Sequence, residues 1–370
     1  MEPIINKYIE SLDLGSIQVF KNMAMVPLFL KDDSGPDYLT LQEALDKKVL
    51  KITEVNESGS VPELKVENTG TEYVLLLDGE ELMGAKQNRV LNTTILLKPE
   101  FQTVIPVSCT EQGRWSYSSA EFSSSGHMMA HHIRSSKVRS VHDSLRRESS
   151  YRSDQGEVWN EIHSLSAQAK VASPTSAMRD VYESKSATLA EYEKAFEYQP
   201  KQKGFLVMIN GEVVGFDILS RSAAFQKLYP KLIKSYAMDA MLQKSSENVS
   251  FSMEKAQAFI NAVTDCSVQH YPSMGTGEDY RFEGKMMVGS ALVAEEAVIH
   301  IAFFRIAENE TSDNIASYRQ RRAFRSSRRE SSNYSNDDDL SLDDLSLDDL
   351  EDDDTKPTDG GDNIDVQKKS

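Results

Sequence analysis

Between Tyr73 and Trp115 the chain has the alternation and turn residues of β-structure, yet ions and amides stand where Val, Ile and Leu usually fill the inward positions. Glu80, Glu81, Lys86, Gln87, Asn88, Arg89, Asn92, Cys109, Glu111, Arg114 and Trp115 all fall in this stretch. A sheet with that content either holds itself together by a polar network or presents a site. The local signals here predict an antiparallel meander. Tyr73–Leu77 runs into Asp78-Gly79, a hairpin dipeptide that tolerates positive φ. Leu91–Leu97 and Phe101–Val107 flank a turn at Lys98-Pro99-Glu100.

The surrounding pattern predicts an α+β fold, because strand meanders and grouped helices occur without regular βαβ alternation. Residues 16–30 read as one or two strands, Leu39–Leu50 as a short helix capped by Thr40, and Ile52–Glu54 and Leu64–Glu67 as strands. Ser116–Ser125 reads as a serine-rich loop. Asp154 with Glu157 three residues on reads as a helix start, with Val158, Trp159, Ile162 and Leu165 at helical spacing. Met178–Phe196 is a further helical region. Gly204–Ile209, Asn210-Gly211 and Glu212–Ile218 predict a hairpin inserted among the helices, since Asn-Gly favours the type I′ turn. Ala223–Leu242 reads as helix, bent or split near Pro230, and Met253–Val263 as another. Tyr280–Val293 and Ala297–Ile306 read as closing strands. The expectation is a mainly antiparallel sheet, built from an N-terminal meander and C-terminal strands, with helices from Val138 to Val263 packed on or beside it.

After Ile306 the pattern of a folded core stops. Six arginines lie between Arg319 and Arg329, and Asp338-Asp339-Leu340-Ser341-Leu342 repeats from Asp343 and begins again at Asp348. A repeat this acidic cannot offset its ordering entropy by burial. The expected organisation is a domain over 10–310 and a disordered, Arg-rich then acidic tail over 311–370. Residues 331–370 hold fourteen acids against three lysines, so −11 of the formal −17 belongs to them and −6 to the rest. The acidity therefore says nothing about a ligand of the folded part. A lone aromatic, Phe324, among the tail arginines argues against nucleic-acid stacking. A protein partner docking on the tail is the economical reading, and the Arg-Ser junctions are candidate phosphorylation points.

Two cysteines, Cys109 and Cys266, make no disulfide framework and fit a reducing compartment. The start MEPIINKYIE has no basic segment followed by an apolar run, so no signal peptide is expected. No apolar run reaches the roughly 18 residues of a membrane span. The expectation is an intracellular, cytoplasmic protein with no membrane partner.

Register sharpens the polar stretch. With a turn centred near Glu100, Leu97 faces Thr103, Leu91 faces Cys109, Arg89 faces Glu111 and Lys86 faces Arg114. Lys86, Arg89 and Arg114 then share a patch, partly neutralised by Glu81 and Glu111, with Gln87, Asn88 and Asn92 adding neutral donors and acceptors. One reading is an anion site lined by those residues and Trp115, since guanidinium forks suit phosphate or carboxylate. Glu81 or Glu111 would then serve in acid–base roles and Cys109 as a nucleophile. The other reading is a structural ion-pair network with Cys109 as a small buried residue. His127, His131 and His132 have i, i+4 spacing but no acidic or thiol ligand nearby in sequence, and read as surface or packing residues. Asp217, at the end of a hairpin strand, reads as a structural carboxylate before a cleft group, and Tyr236 as core. No Walker motif, dinucleotide fingerprint or nucleophile elbow occurs, and the identity of any cofactor is left open.

Gly79-Glu80-Glu81-Leu82, Gly84-Ala85-Lys86-Gln87-Asn88-Arg89, Pro106-Val107-Ser108-Cys109 and Glu111-x-Gly113-Arg114-Trp115 together resemble the ARG and rhodanese-phosphatase-superfamily-associated protein domain. The resemblance covers most of 10–310, including Ser153-Asp154-Gln155 and Ser235-Tyr236-Ala237. Its name implies association with ADP-ribosylglycohydrolase and phosphatase-type proteins. That suits an ADP-ribose or nucleotide derivative as ligand, against the alternative of a non-enzymatic scaffold acting through its tail.

Overall fold

The strands Gln202–Ile209 and Ala297–Arg305 are apolar on both sides of the pleat, so both faces of their sheet must be covered. The computed structural model, which describes residues 2–56, 59–60, 62–245 and 249–306, shows how. The nine-stranded sheet runs Asp13–Leu14, Met23–Phe29, Gln202–Ile209, Glu212–Leu219, Ala297–Arg305, Met287–Ala294, Glu278–Glu283, Ser267–Pro272, with Gln18–Phe20 also paired to Met23–Phe29. Every pairing in it is antiparallel. Phe205, Val207 and Phe304 face a core with the Ser222–Leu242 and His131–Glu148 helices. Leu206, Met208, Phe216 and Phe303 face the other core, closed by Ile5 and Ile9 of Pro3–Glu10 and by Phe259 and Ile260 of Met253–Ala262. Each such fully buried side chain contributes roughly 1.5–3 kcal/mol.

A six-stranded antiparallel sheet runs Phe122–Met128, Glu80–Gly84, Arg89–Leu91, Phe101–Cys109, Glu63–Asn68, Leu50–Glu54. Lys51 on one outer strand pairs with Glu121, just before the other, at 3.1 Å, so the sheet curls towards closure around Leu64, Leu82, Leu91 and Ile105. A three-stranded sheet of Ile95–Leu97, Tyr73–Leu76 and Tyr38–Thr40 completes the set, the last two strands parallel. The molecule is thus α+β and mostly antiparallel. The described residues belong to one compact unit, Met1–Ser312. The expected acidic tail lies outside the described residues.

Thr40 caps Leu41–Asp46 with a reciprocal box to Glu43, and Asp154 accepts from the Glu157 N–H at the start of Gln155–Ala169. Asn210 and Gly211 both have positive φ between paired strands, as the hairpin demands. The Ser222–Leu242 helix runs unbroken through Pro230.

Four local expectations are corrected. Asp78-Gly79 is a turn, closed by Glu80 N–H on the Leu77 carbonyl at 3.1 Å, but its flanking strands enter different sheets. Buried partners decide this: Asp78 is engaged by Lys137, and Gly79 lies against Arg134. The Lys98–Glu100 turn likewise separates sheets, because Ile95–Leu97 pairs with Tyr73–Leu76 while Phe101 onwards pairs with Glu63–Asn68. Cys109 consequently faces Arg89, two residues from the expected register. The serine-rich loop ends early, with Phe122–Met128 pairing as a strand on Glu80–Gly84, and Tyr280–Val293 divides into two strands.

Candidate functional site

The Arg89–Leu91 strand and the end of Phe101–Cys109 carry the polar stretch, and the turn between Gly84 and Arg89 brings its members together. Arg89 is fully buried. Its Nη1 donates to Gln87 Oε1 at 3.1 Å, and Nη2 stands 3.7 Å from Glu54 Oε1, too long for a hydrogen bond. Nε and Nη2 have no hydrogen-bond partner, nor does Glu54 Oε2. The Trp115 ring covers this guanidinium at 5.8 Å. Lys86 Nζ lies 5.2 Å from both the Trp115 and Tyr117 rings, within cation–π range. Those rings are 48% and 53% exposed, among the few large apolar groups on the surface.

Arg114 is engaged differently. It clamps Glu111 through a fork of 3.0 and 2.7 Å and also donates to the Ala85 and Ser116 carbonyls and Asn88 Oδ1. Glu111 further accepts from Thr175 Oγ1 at 2.9 Å and the Asn88 N–H at 3.2 Å. Burial works to raise the Glu111 pKa, but these donors outweigh it and hold the carboxyl below its ordinary value. Arg114 therefore locks the turn that presents Lys86.

The Asn92 side chain and the Cys109 backbone engage another segment, while the Cys109 thiol stays beside Arg89. Asn92 donates to the Tyr151 carbonyl and accepts from Ser108. The Gln155 side chain bonds both the N–H and carbonyl of Cys109, acting as a short extra strand. Burial pushes the Cys109 thiol up to about 11 despite Arg89 beside it, which keeps it a thiol at neutral pH. Glu81 is fully buried, its Oε1 accepting from Thr110 at 2.6 Å. Burial raises its carboxyl to about 7 against the nearby Thr110 and Ser125 hydroxyls and Arg179. The structure thus gathers Lys86, Gln87, Asn88, Arg89, Cys109, Glu111, Arg114 and Trp115, and directs Asn92 and Glu81 elsewhere.

A second polar network has no counterpart in the sequence reading. Arg134 grips Asp217 through a fork of 2.7 and 3.1 Å, and Asp217 also accepts from Tyr236 at 2.7 Å. Lys137 meets Asp78 and the Leu91 and Asn92 carbonyls. Thr94 accepts from the Asp78 N–H and meets His300 Nδ1 at 2.9 Å, while His300 Nε2 faces Asp217 at 3.4 Å. A proton on Nε2 suits the contact to Asp217. Arg281, Asp279 and Thr93 extend the network. All these groups are buried, and they tie the His131–Glu148 helix to two sheets. Asp217 is thereby held in a buried ion pair within the framework. The available signal was that helix itself, whose apolar stripe of Ile133, Val138, Val141 and Leu145 is flanked by charged residues that burial would leave in need of internal partners. His131 and His132 both direct Nδ1 at Asp239 across the helix boundary. Among the described residues no group of three His, Cys, Asp or Glu is placed to hold a metal ion, and no helix is long and apolar enough to cross a membrane.

The model of one protein family, the ARG and Rhodanese-Phosphatase-superfamily-associated Protein domain, matches residues 11–304. No curated protein and no solved structure matches the chain.

Proposed function

The chain belongs to the ARG and Rhodanese-Phosphatase-superfamily-associated Protein domain family, and from that premise we propose that it binds an anionic small molecule, a nucleotide or ADP-ribose derivative, at Arg89, Lys86 and Trp115. The carrying observation is Arg89: a buried guanidinium with two unbonded nitrogens under an exposed indole. An unpaired buried donor is costly, roughly 1–3 kcal/mol or more for a charged group, and a phosphate or carboxylate satisfies both N–H groups at once. Displacing the Trp115 ring opens that route. The indole and the Tyr117 ring then offer stacking faces to a base, and the Lys86 ammonium meets a second phosphate. Gln87 and Asn88 border the same turn and serve ribose or base edges. Glu111 and Arg114 hold the turn in shape.

The test is thermal denaturation of the whole chain with ADP-ribose, NAD and sugar phosphates. Ligand at a hundred times its Kd stabilises by about 2.7 kcal/mol, a rise of several degrees. Lys86→Ala and Trp115→Ala, which alter half-exposed groups, should remove the rise and leave the unliganded melting point nearly unchanged. No rise with any phosphorylated compound, or one that survives both substitutions, overturns the reading. A second reading, a scaffold whose partner docks on the acidic tail, draws on the Glu111–Arg114 fork, whose groups are already bonded within the framework. It predicts that removing 311–370 abolishes partner capture without lowering stability.

A further inference from the structure

The Phe122–Met128 strand pairs Ser124 with Leu82 and Met128 with Glu80, so three residues, Ser125 to His127, stand opposite Glu81 alone. Such a bulge re-aims side chains and breaks the ladder. Gly126 has φ +79 there, and a side chain at that position would meet no atom within 4 Å, so the bulge opens outward. Behind it lie three buried polar atoms without a well-formed hydrogen bond: Glu81 Oε2, near the Ser125 hydroxyl of the bulge, the Tyr182 hydroxyl and His127 Nδ1. The His127 and Tyr182 rings are 5.0 Å apart, and the Glu81 charge is close enough to act on the phenol. Glu81 and Tyr182 are fully buried, while His127 is partly exposed at the outer wall. Buried polar groups nearly always have partners, so three orphans at one bulge call for a missing one.

We propose that this bulge is the mouth of a second binding site, in which Glu81, Tyr182 and His127 take a vicinal diol of the kind carried by a ribose ring or a small polyol. The donors and acceptors match. The Tyr182 hydroxyl donates to one ligand oxygen, whose own proton goes to Glu81 Oε2. The second ligand hydroxyl donates to His127 Nδ1. Burial pushes the His127 imidazole down to about 4, so at pH 7 it is neutral and can accept. Rotation of the His127 ring gives a route in from the open side at Gly126. The site is separate from Lys86 and Trp115 and does not depend on the anion reading.

Tyr182→Phe separates the possibilities. It deletes only an unpartnered hydroxyl, so the free protein should melt higher. If the hydroxyl serves a ligand, the same variant should lose binding. Thermal shift and calorimetry on the full chain would use ribose locked as its methyl furanoside, with 2-deoxyribose locked the same way as the probe lacking the diol. Expected is a rise with ribose, none with 2-deoxyribose, and affinity at least ten-fold weaker in Tyr182→Phe and in His127→Gln. Lys86→Ala should keep the ribose response, which distinguishes failure of the anion site from failure of this one. A wild type that ignores ribose at millimolar concentration, a response equal with 2-deoxyribose, or a response kept in both Tyr182→Phe and His127→Gln overturns the proposal and leaves the three atoms to buried water.

Discussion

Glu81 carries a consequence for stability as well as for binding. Its folded-state carboxyl titrates near 7 while an unfolded glutamate titrates near its ordinary value of 4.5. Between those values the folded state holds more protons than the unfolded one, so stability falls as pH rises. The loss is complete above about 7 and amounts to about 3 kcal/mol at most. Denaturant unfolding at pH 5 and pH 8 should show this decline, and Glu81→Gln, which cannot ionise, should flatten it. Asp217 runs the other way. Burial alone would raise its pKa, but Arg134 and His300 hold it well below the ordinary value, so its contribution disappears only as pH falls through the acid range. The side-chain inventory of Tyr73–Trp115 was legible at this scale because the polar residues cluster in sequence. Their division of labour was not. Arg114 and Arg89 carry the same charge, yet one is saturated by carbonyls and Glu111 while the other keeps two free nitrogens. That difference comes from where the backbone carbonyls of Ala85 and Ser116 point, which residue type does not encode. Cys109 should resist thiol reagents in the native protein and react only as fast as the chain opens, since burial keeps its thiolate scarce.

At the scale of elements, the Asn210-Gly211 hairpin was readable because its whole determinant is local: two positive-φ residues between strands that pair with one another. Asp78-Gly79 offers a similar dipeptide and a different outcome, because its strands find better partners elsewhere. The glycine's role changes accordingly. A Cβ at residue 79 would lie 2.8 Å from Arg134 Cδ and Nε, at φ +86. Gly79→Ala should therefore cost about 1–2 kcal/mol for the left-handed backbone and further energy for displacing a guanidinium that anchors Asp217. At Gly211, buried in its hairpin turn, the obstacle is the Ser250 carbonyl at 2.8 Å and not a charged group. Equilibrium unfolding of the two alanine variants should rank Gly79→Ala as the more damaging. The Ser222–Leu242 helix gives the same lesson in reverse. Its apolar face was plain from Phe225, Leu228, Leu232, Ile233 and Tyr236. Its second stripe was not: Lys231, Ser235 and Asp239, at i, i+4 and i+8, reach Glu80, the Met129 carbonyl and the two histidines. In sequence that stripe looks like an ordinary solvated face.

For the whole molecule, the question is why three acids and three bases are buried between the sheets and the His131–Glu148 helix. Asp78, Asp217 and Asp279 balance Arg134, Lys137 and Arg281, so this network is neutral in formal charge. Desolvating such groups offsets most of their attraction, which makes them poor sources of net stability. What they provide is a unique docking geometry, because a shifted helix or slipped strand would leave a buried charge unpaired. No window of sequence could reveal this, since Arg134 and Asp217 lie 83 residues apart and meet only once the strand order is set. The two partners of the fork should respond asymmetrically to substitution. Arg134→Met leaves Asp217 buried without its cation and should cost roughly 3–5 kcal/mol, with loss of cooperative unfolding. Asp217→Asn should cost less, because the amide oxygen still accepts from Tyr236 and from one arm of the guanidinium. Combining Arg134→Met with Asp217→Leu removes both charges and should recover much of the loss in denaturant midpoint, although Asp78, His300 and Tyr236 then lose a partner. Failure of the pair to recover anything would mean that those three contacts, and not the fork, fix the helix against the sheet.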